Sequence, residues 1–227
     1  MKKLVLFTEE EYLVTMRQRI DELKALRDQP RYRYAEKEQA KVVAHFIDRG
    51  IQLGEAAFRI RDLSIPLDGI MRILSDDLIR LFWISKSEGN AAEYVKTVPS
   101  EYVKMMRASL EAGCGRIVHK PTGRNVTAEF LPKLAARLVK RKPIEQIPIK
   151  CGLGQVYEMP FRFGSLAIHG NTYPLHGAPD ESEQDSLRTL PAINAFLKAT
   201  TRIVDDFPDR STTPDEILKV LHITPNN

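Results

Sequence analysis

Three side chains able to do chemistry stand close together in the stretch Tyr157–Asn171, YEMPFRFGSLAIHGN: Arg162, Ser165 and His169. Ser165 lies three residues, and His169 seven residues, beyond Arg162. On a helix those offsets fall near one and two full turns, so the three share a face. A guanidinium, a hydroxyl and an imidazole on one stripe suit phosphate binding and proton transfer near neutral pH. Phe161, Phe163, Leu166, Ala167 and Ile168 fill the rest of the segment, which predicts a half-buried polar stripe. Tyr157 and Asn171 flank it as further binding candidates.

Each of these residues also has a plain structural use. His169 precedes Gly170 at a predicted helix end, where a charged imidazole satisfies carbonyls and the helix dipole. Arg162 suits a buried ion pair with Asp76 or Asp68, tying two helices together. The catalytic and structural readings share one geometry, in which the Arg162 face meets the Asp76 face.

Other chemistries lack their residues. No Gly-rich phosphate loop, dinucleotide fingerprint or Gly-x-Ser-x-Gly elbow is present, and Gly152-Leu-Gly154 reads as a helix boundary. His176 follows His169 by seven residues across a Gly/Pro loop, and no His/Cys/Asp cluster has ligand spacing, so neither metal nor cofactor is expected. Cys114 and Cys151 are too few for a disulfide framework, and Cys151 reads as a buried thiol. The apolar run Leu4–Phe7 is too short for a secretory signal, and no run approaches membrane-spanning length. A cytoplasmic chain without a membrane partner is the expectation.

The elements that must position the stripe are helical almost throughout. Thr8 and Glu11 form a capping-box pattern opening a helix to about Asp28, with Tyr12, Met16, Ile20 and Leu23 inward. Pro30 breaks it, and a second helix spans about Tyr34–Arg59. Gly50 and Gly54, four apart inside it, allow a neighbouring helix to come close. Ser64, as N-cap, and Pro66 open a third helix to about Lys86 that is apolar nearly all round and therefore buried. Its exception is Asp68, Arg72, Asp76 and Arg80 at four-residue spacing, where alternating charges stack and pair. Arg72 and Arg80 are binding candidates on that stripe.

Two short helices, about Asn90–Thr97 and Ser100–Glu111, follow, then a loop or small two-stranded β-ribbon over Arg116–Val126. Further helices are predicted over about Thr127–Lys140, Leu153–Gly170 and Glu181–Phe207, the last with a break risk at Pro191. Thr212-Thr213-Pro214-Asp215-Glu216 caps a short terminal helix ending near His222. The expected fold is one all-α domain over 1–227, a multi-helix bundle around a buried central helix. The net charge of +4 is mild, but Lys104–Lys142 holds ten Lys or Arg against two Glu. That run is either a solvated helix face or a surface for a phosphate backbone.

The order of these parts carries a resemblance. A buried helix with Arg72 and Asp76 on one stripe precedes a late helix reading Tyr157-x4-Arg162-x2-Ser165-x3-His169-Gly170. This resembles uncharacterised bacterial all-helical proteins, which in turn look like the HEPN superfamily (higher eukaryotes and prokaryotes nucleotide-binding domains). Its mark is an Arg, four to six residues, then a His on a late helix, and Arg162 and His169 enclose six. The resemblance covers about Ser64–Gly170, within a HEPN-like core of about 64–207 on which helices from 8–60 pack. It implies metal-independent RNA cleavage at a homodimer cleft, with His169 as general acid or base, Arg162 steadying the phosphate and Asp76 positioning one of them. Two departures stand out: Phe163 follows Arg162 where active nucleases carry a polar residue, and the central acid is Asp rather than Glu. The competing expectation is a non-catalytic helical interaction module whose Arg–Asp–His network is structural.

Overall fold

Thr8 and Glu11 set the first helix: the Glu11 amide donates to Thr8 Oγ1 at 3.3 Å, and the Thr8 amide donates to Glu11 Oε2 at 2.6 Å. In this computed structural model, which describes residues 8–135, 146–158 and 182–224, that capping box opens α1 (Glu9–Arg27). Met16, Ile20, Leu23 and Leu26 are its buried residues, while Tyr12 is only half-buried. Pro30 does end α1, but it also starts α2 (Pro30–Arg33) at the first position, where a missing N–H costs no bond.

The described residues are all-α, with ten helices. After α2 come α3 (Glu38–Arg59), α4 (Ser64–Lys86), α5 (Glu88–Glu111), α6 (Thr127–Ala135), α7 (Gln146–Lys150), α8 (Gly154–Val156), α9 (Ser182–Asp205) and α10 (Pro214–Val220). They fall into two compact units: residues up to 88 together with those from 143 onward, and residues 89–142.

In the larger unit α4 packs along α9, α3 and α7, and α1 packs on both α3 and α9. Leu67, Leu74, Leu78, Ile79, Leu81, Phe82 and Ile84 of α4 are all essentially buried, as its all-round apolar sequence requires. Helix α4 starts at Ser64 with Leu63 at the N-cap, one residue earlier than a Ser64 cap predicts. Pro191 does not break α9. Leu190, Ile193, Phe196 and Leu197 around it are buried, each worth about 1.5–3 kcal/mol, against about 3 kcal/mol for a helix-interior proline.

Side chains from elsewhere finish two helix ends. Tyr32 Oη donates to the Val204 carbonyl at 2.6 Å in the last turn of α9, and Gln39 Nε2 donates to the Ile84 carbonyl at 2.7 Å in that of α4. Both groups are buried, and both satisfy carbonyls that a helix leaves without partners. Lys86 Nζ donates to the carbonyls of Arg210 and Thr212, holding the approach to α10. Thr213 and Glu216 then form the second capping box, as the sequence predicts.

In the smaller unit α5 is one helix through Pro99, where two short ones are expected. The Ala-, Glu-, Lys- and Met-containing sequence on either side favours helix, and one proline is not enough to divide it. The 116–126 segment is a short turn held by amide bonds from His119 to the Arg124 carbonyl and from Val126 to the Ile117 carbonyl, both 2.8 Å. Among the described residues its pairing amounts to one antiparallel bridge, Val118 with Asn125, and no named strand. Gly123, at φ 66°, supplies the left-handed turn residue.

The two α3 glycines are the contact points of the larger core. A methyl at Gly54 would sit 2.8 Å from Ile20 Cγ1 and 3.2 Å from Leu197 Cδ1, so α1, α3 and α9 meet there without room for alanine. At Gly50 the nearest atoms are the Leu23 methyl Cδ1 at 3.3 Å and Thr200 Cγ2 at 3.8 Å, and Leu23 can yield. Overpacking at Gly54 costs about 1–3 kcal/mol and outweighs the roughly 1 kcal/mol that alanine contributes to helix propensity. Urea unfolding should show Gly54→Ala destabilised by about 1–2 kcal/mol and Gly50→Ala within about 1 kcal/mol of the parent. Equal effects at the two positions would show that the three helices do not converge on Gly54.

Candidate functional site

The charged stripe of α4 is where sequence and structure meet. Four-residue spacing brings Asp76 and Arg80 together: Arg80 Nε lies 2.9 Å from both Asp76 carboxylate oxygens. The Arg80 side chain is only 8% exposed and that of Asp76 27%, so the pair is formed inside the bundle wall rather than in open solvent. About two turns toward the N-terminus from Asp76, Asp68 Oδ1 accepts from Thr189 Oγ1 of α9 at 2.9 Å. Arg72 lies between them on the same stripe, half-buried.

Beside the stripe lies a second pair that four-residue spacing does not reveal. Arg49 Nε of α3 donates to Asp77 Oδ2 of α4 at 2.7 Å, and the Asp77 side chain is 13% exposed. Burial pushes the Asp77 carboxyl up to about 6, against the pull of the Arg49 guanidinium. No local pattern pairs Arg49 with Asp77, because they are far apart in the chain. The available signal was a second acid, Asp77, on an otherwise apolar helix, which requires a cation from a neighbouring element.

Tyr157, at the end of α8, is buried. Arg162, Ser165, His169 and Asn171 lie outside the described residues, and so does the expected meeting of Arg162 with Asp76. Of the predicted stripe partners the structure therefore brings together Asp76 and Arg80. Gly152, at φ 73°, is the helix boundary that the CGLGQ motif suggests, and its Cα faces Pro214 of α10. Cys151 is half-buried rather than fully enclosed, and burial raises its thiol to about 11 although Lys86 opposes the shift. A thiol in that range is almost wholly protonated at neutral pH and is a poor nucleophile. Among the described residues no three His, Cys, Asp or Glu side chains converge as metal ligands, and no helix is long and apolar enough to cross a membrane.

The geometry makes two chemical statements. Asp76, with both oxygens on Arg80, holds that guanidinium in place. Asp77 keeps its proton far above the ordinary carboxylate range and exchanges it near pH 6.

Removing Asp76 leaves Arg80 buried without its counter-ion, a loss of about 3 kcal/mol. Thermal or urea unfolding should show that loss in Asp76→Ala, whereas Asp76→Leu with Arg80→Met should return to within about 1 kcal/mol of the parent. If the single and double variants are equally destabilised, the pair is not what holds this part of α4. Asp77 gives a pH signature. Its folded value is raised to about 6 from an ordinary 3.8, so between those values the native state holds the extra proton. Unfolding free energy from this group therefore falls as pH rises from about 4 to about 6, by about 3 kcal/mol, and is level above. Asp77→Asn should lack that fall, and a difference curve between the two proteins that is flat across this window would refute the assignment.

Compared with family models, with curated proteins and with solved structures, the chain finds no match in any of the three.

Proposed function

We propose that this chain is a HEPN-like, RNA-acting helical protein that cleaves a strand without a metal. The observation that carries the reading is on α4: a helix buried in an all-α bundle that nevertheless keeps Arg72 and Asp76 on one seam. A half-buried arginine and acid on such a helix are costly, and the resemblance supplies a use for them, the support of an Arg–His pair at positions 162 and 169. His169 takes the proton of an RNA 2′-hydroxyl. The freed oxygen attacks the adjacent phosphorus, the bond to the 5′-oxygen breaks, and that oxygen leaves with a proton from a general acid. An imidazole titrating near neutrality suits the first step, and the Arg162 guanidinium suits the added charge on the phosphorane. Asp76, steadied by Arg80 Nε on its two oxygens, is the acid that positions Arg162 or His169. Homodimerisation, with one Arg–His pair from each subunit, and a cytoplasmic defence or toxin-type setting belong to the same reading.

A second reading has an observation of its own. Asp76 is taken up by Arg80, and Asp68 accepts from Thr189, so acids of the stripe have partners inside the protein. This favours a non-catalytic helical interaction module in which the ion pairs serve the bundle.

One experiment separates them. Labelled single-stranded RNA incubated with the purified protein in excess EDTA should give products ending in 2′,3′-cyclic phosphate. His169→Ala and Arg162→Ala should each slow cleavage by about 100-fold or more while melting like the parent. No cleavage by the parent protein, or equal cleavage by both variants, overturns the nuclease and leaves the module.

A further inference from the structure

Charge is divided between the two units of the chain. Residues 89–142 carry eleven Lys or Arg against four Glu, whereas the remainder carries 23 against 26. The mild net charge of the whole therefore hides a small, strongly basic unit attached to a slightly acidic one. A surplus of that density attracts polyanions.

Within that unit the 116–126 turn is built to present cations. Its base is fixed: Thr127 Oγ1 accepts from the Ile117 amide at 2.8 Å and donates to Asn125 Oδ1 at 2.7 Å, tying the turn to the start of α6. Its tip is closed by the His119 carbonyl, which accepts from the amides of Thr122 and Gly123. From Val118 to Asn125 every side chain is exposed, and so is Arg116. The backbone is thus held while the side chains are left to solvent. Arg116 and Lys120 have no acidic partner within the smaller unit's described residues, and Arg124 pairs with Glu129 at 2.9 Å with its side chain 67% exposed. An exposed pair of that kind contributes little and yields readily to a phosphate. Phe130, one turn into α6, is 41% exposed, with the Lys133 ammonium 5.3 Å from its ring centre.

We propose that the 116–126 turn and the first turn of α6 form a contact surface for single-stranded RNA, with Arg116, Lys120 and Arg124 on phosphates and Phe130 stacked on a base. The proposal rests on the RNA reading above and adds to it a set of residues that hold the strand without cleaving it. Cations on a fixed turn beside an exposed aromatic ring are the combination that holds a single strand without reading its sequence. Bare electrostatic attraction does not require the ring, and an apolar protein partner does not require the cations.

Fluorescence anisotropy with a labelled uridine 20-mer in EDTA, in a His169→Ala background that keeps the strand intact, tests it. Arg116→Ala/Lys120→Ala/Arg124→Ala should weaken binding about tenfold or more and make the log–log salt slope shallower by about 2, as three lost phosphate contacts require. Phe130→Ala should weaken binding about tenfold with little change in slope. Arg116→Lys/Lys120→Arg/Arg124→Lys should keep the slope. All the substituted side chains are exposed, and circular dichroism should show unchanged melting. An unaltered affinity and slope in the triple alanine variant overturns the proposal, as does tighter cation-dependent binding to anionic phospholipid vesicles than to RNA. The two readings fail separately. A parent protein that cleaves RNA with KM unaffected by the triple substitution sinks the contact surface alone. A protein that binds through the turn but never cleaves sinks the nuclease alone.

Discussion

A helix that is apolar around nearly its whole circumference must be covered on nearly all sides, and α4 imposes that condition on the larger unit. Helices α3, α9 and α7 are its cover, and α1 closes over α3 and α9. The close approach at Gly54 follows from the same demand, because helices wrapping one rod must also touch each other. Burial of this kind is worth about 25 cal/mol for each Å² of apolar surface removed from water, and it is unforgiving of charge. Yet α4 carries Asp76, Asp77 and Arg80 inside its cover. Each is answered by a nearby opposite charge, on the same helix for Asp76 and Arg80 and on α3 for Asp77.

Those pairs are weak arguments for stability and stronger ones for specificity. Two apolar residues of similar size would pack as well or better in place of Asp76 and Arg80. The contacts between helices fix the rotation of α4, since turning it would separate Asp77 from Arg49 and Asp68 from Thr189, whereas the Asp76–Arg80 pair turns with the helix. The HEPN-like reading gives the same residues a further task, because a helix held at one rotation presents Arg72 in one direction. Structural and functional uses of the stripe are therefore compatible, and the difference between them lies in what Arg162 and His169 do.

The smaller unit is organised on a different principle. The larger unit pairs the charges of α4 inside its cover, whereas the 116–126 turn of the smaller unit sets Arg116, Lys120 and Arg124 on an exposed backbone turn. Same-sign cations repel one another and cost stability unless something anionic covers them. That cost is small at the surface, where water and salt screen it, so a basic turn of this kind persists at little expense to the fold.

Much of this was legible in the residues themselves. The two capping boxes, the buried α4, the close-packing glycines and the Asp76–Arg80 pair all depend on spacings of three or four residues, which a helix converts directly into contact. The boundaries around prolines were less so. Pro99 and Pro191 suggest interruption by their local chemistry, but α5 and α9 run through them, and in α9 burial of the neighbouring residues outweighs the lost bond. The candidate site was only partly legible. The Arg162–His169 stripe rests on sequence spacing and lies outside the described residues, while Asp77, whose proton affinity burial raises, is not marked by helical spacing because its partner Arg49 is distant in the chain. Local periodicity decided which faces are apolar and which charges can pair along one helix. Only the tertiary structure decided which helices face each other, because ion pairs between elements, helix ends finished by Tyr32 and Gln39, and fit at Gly54 depend on distances through space.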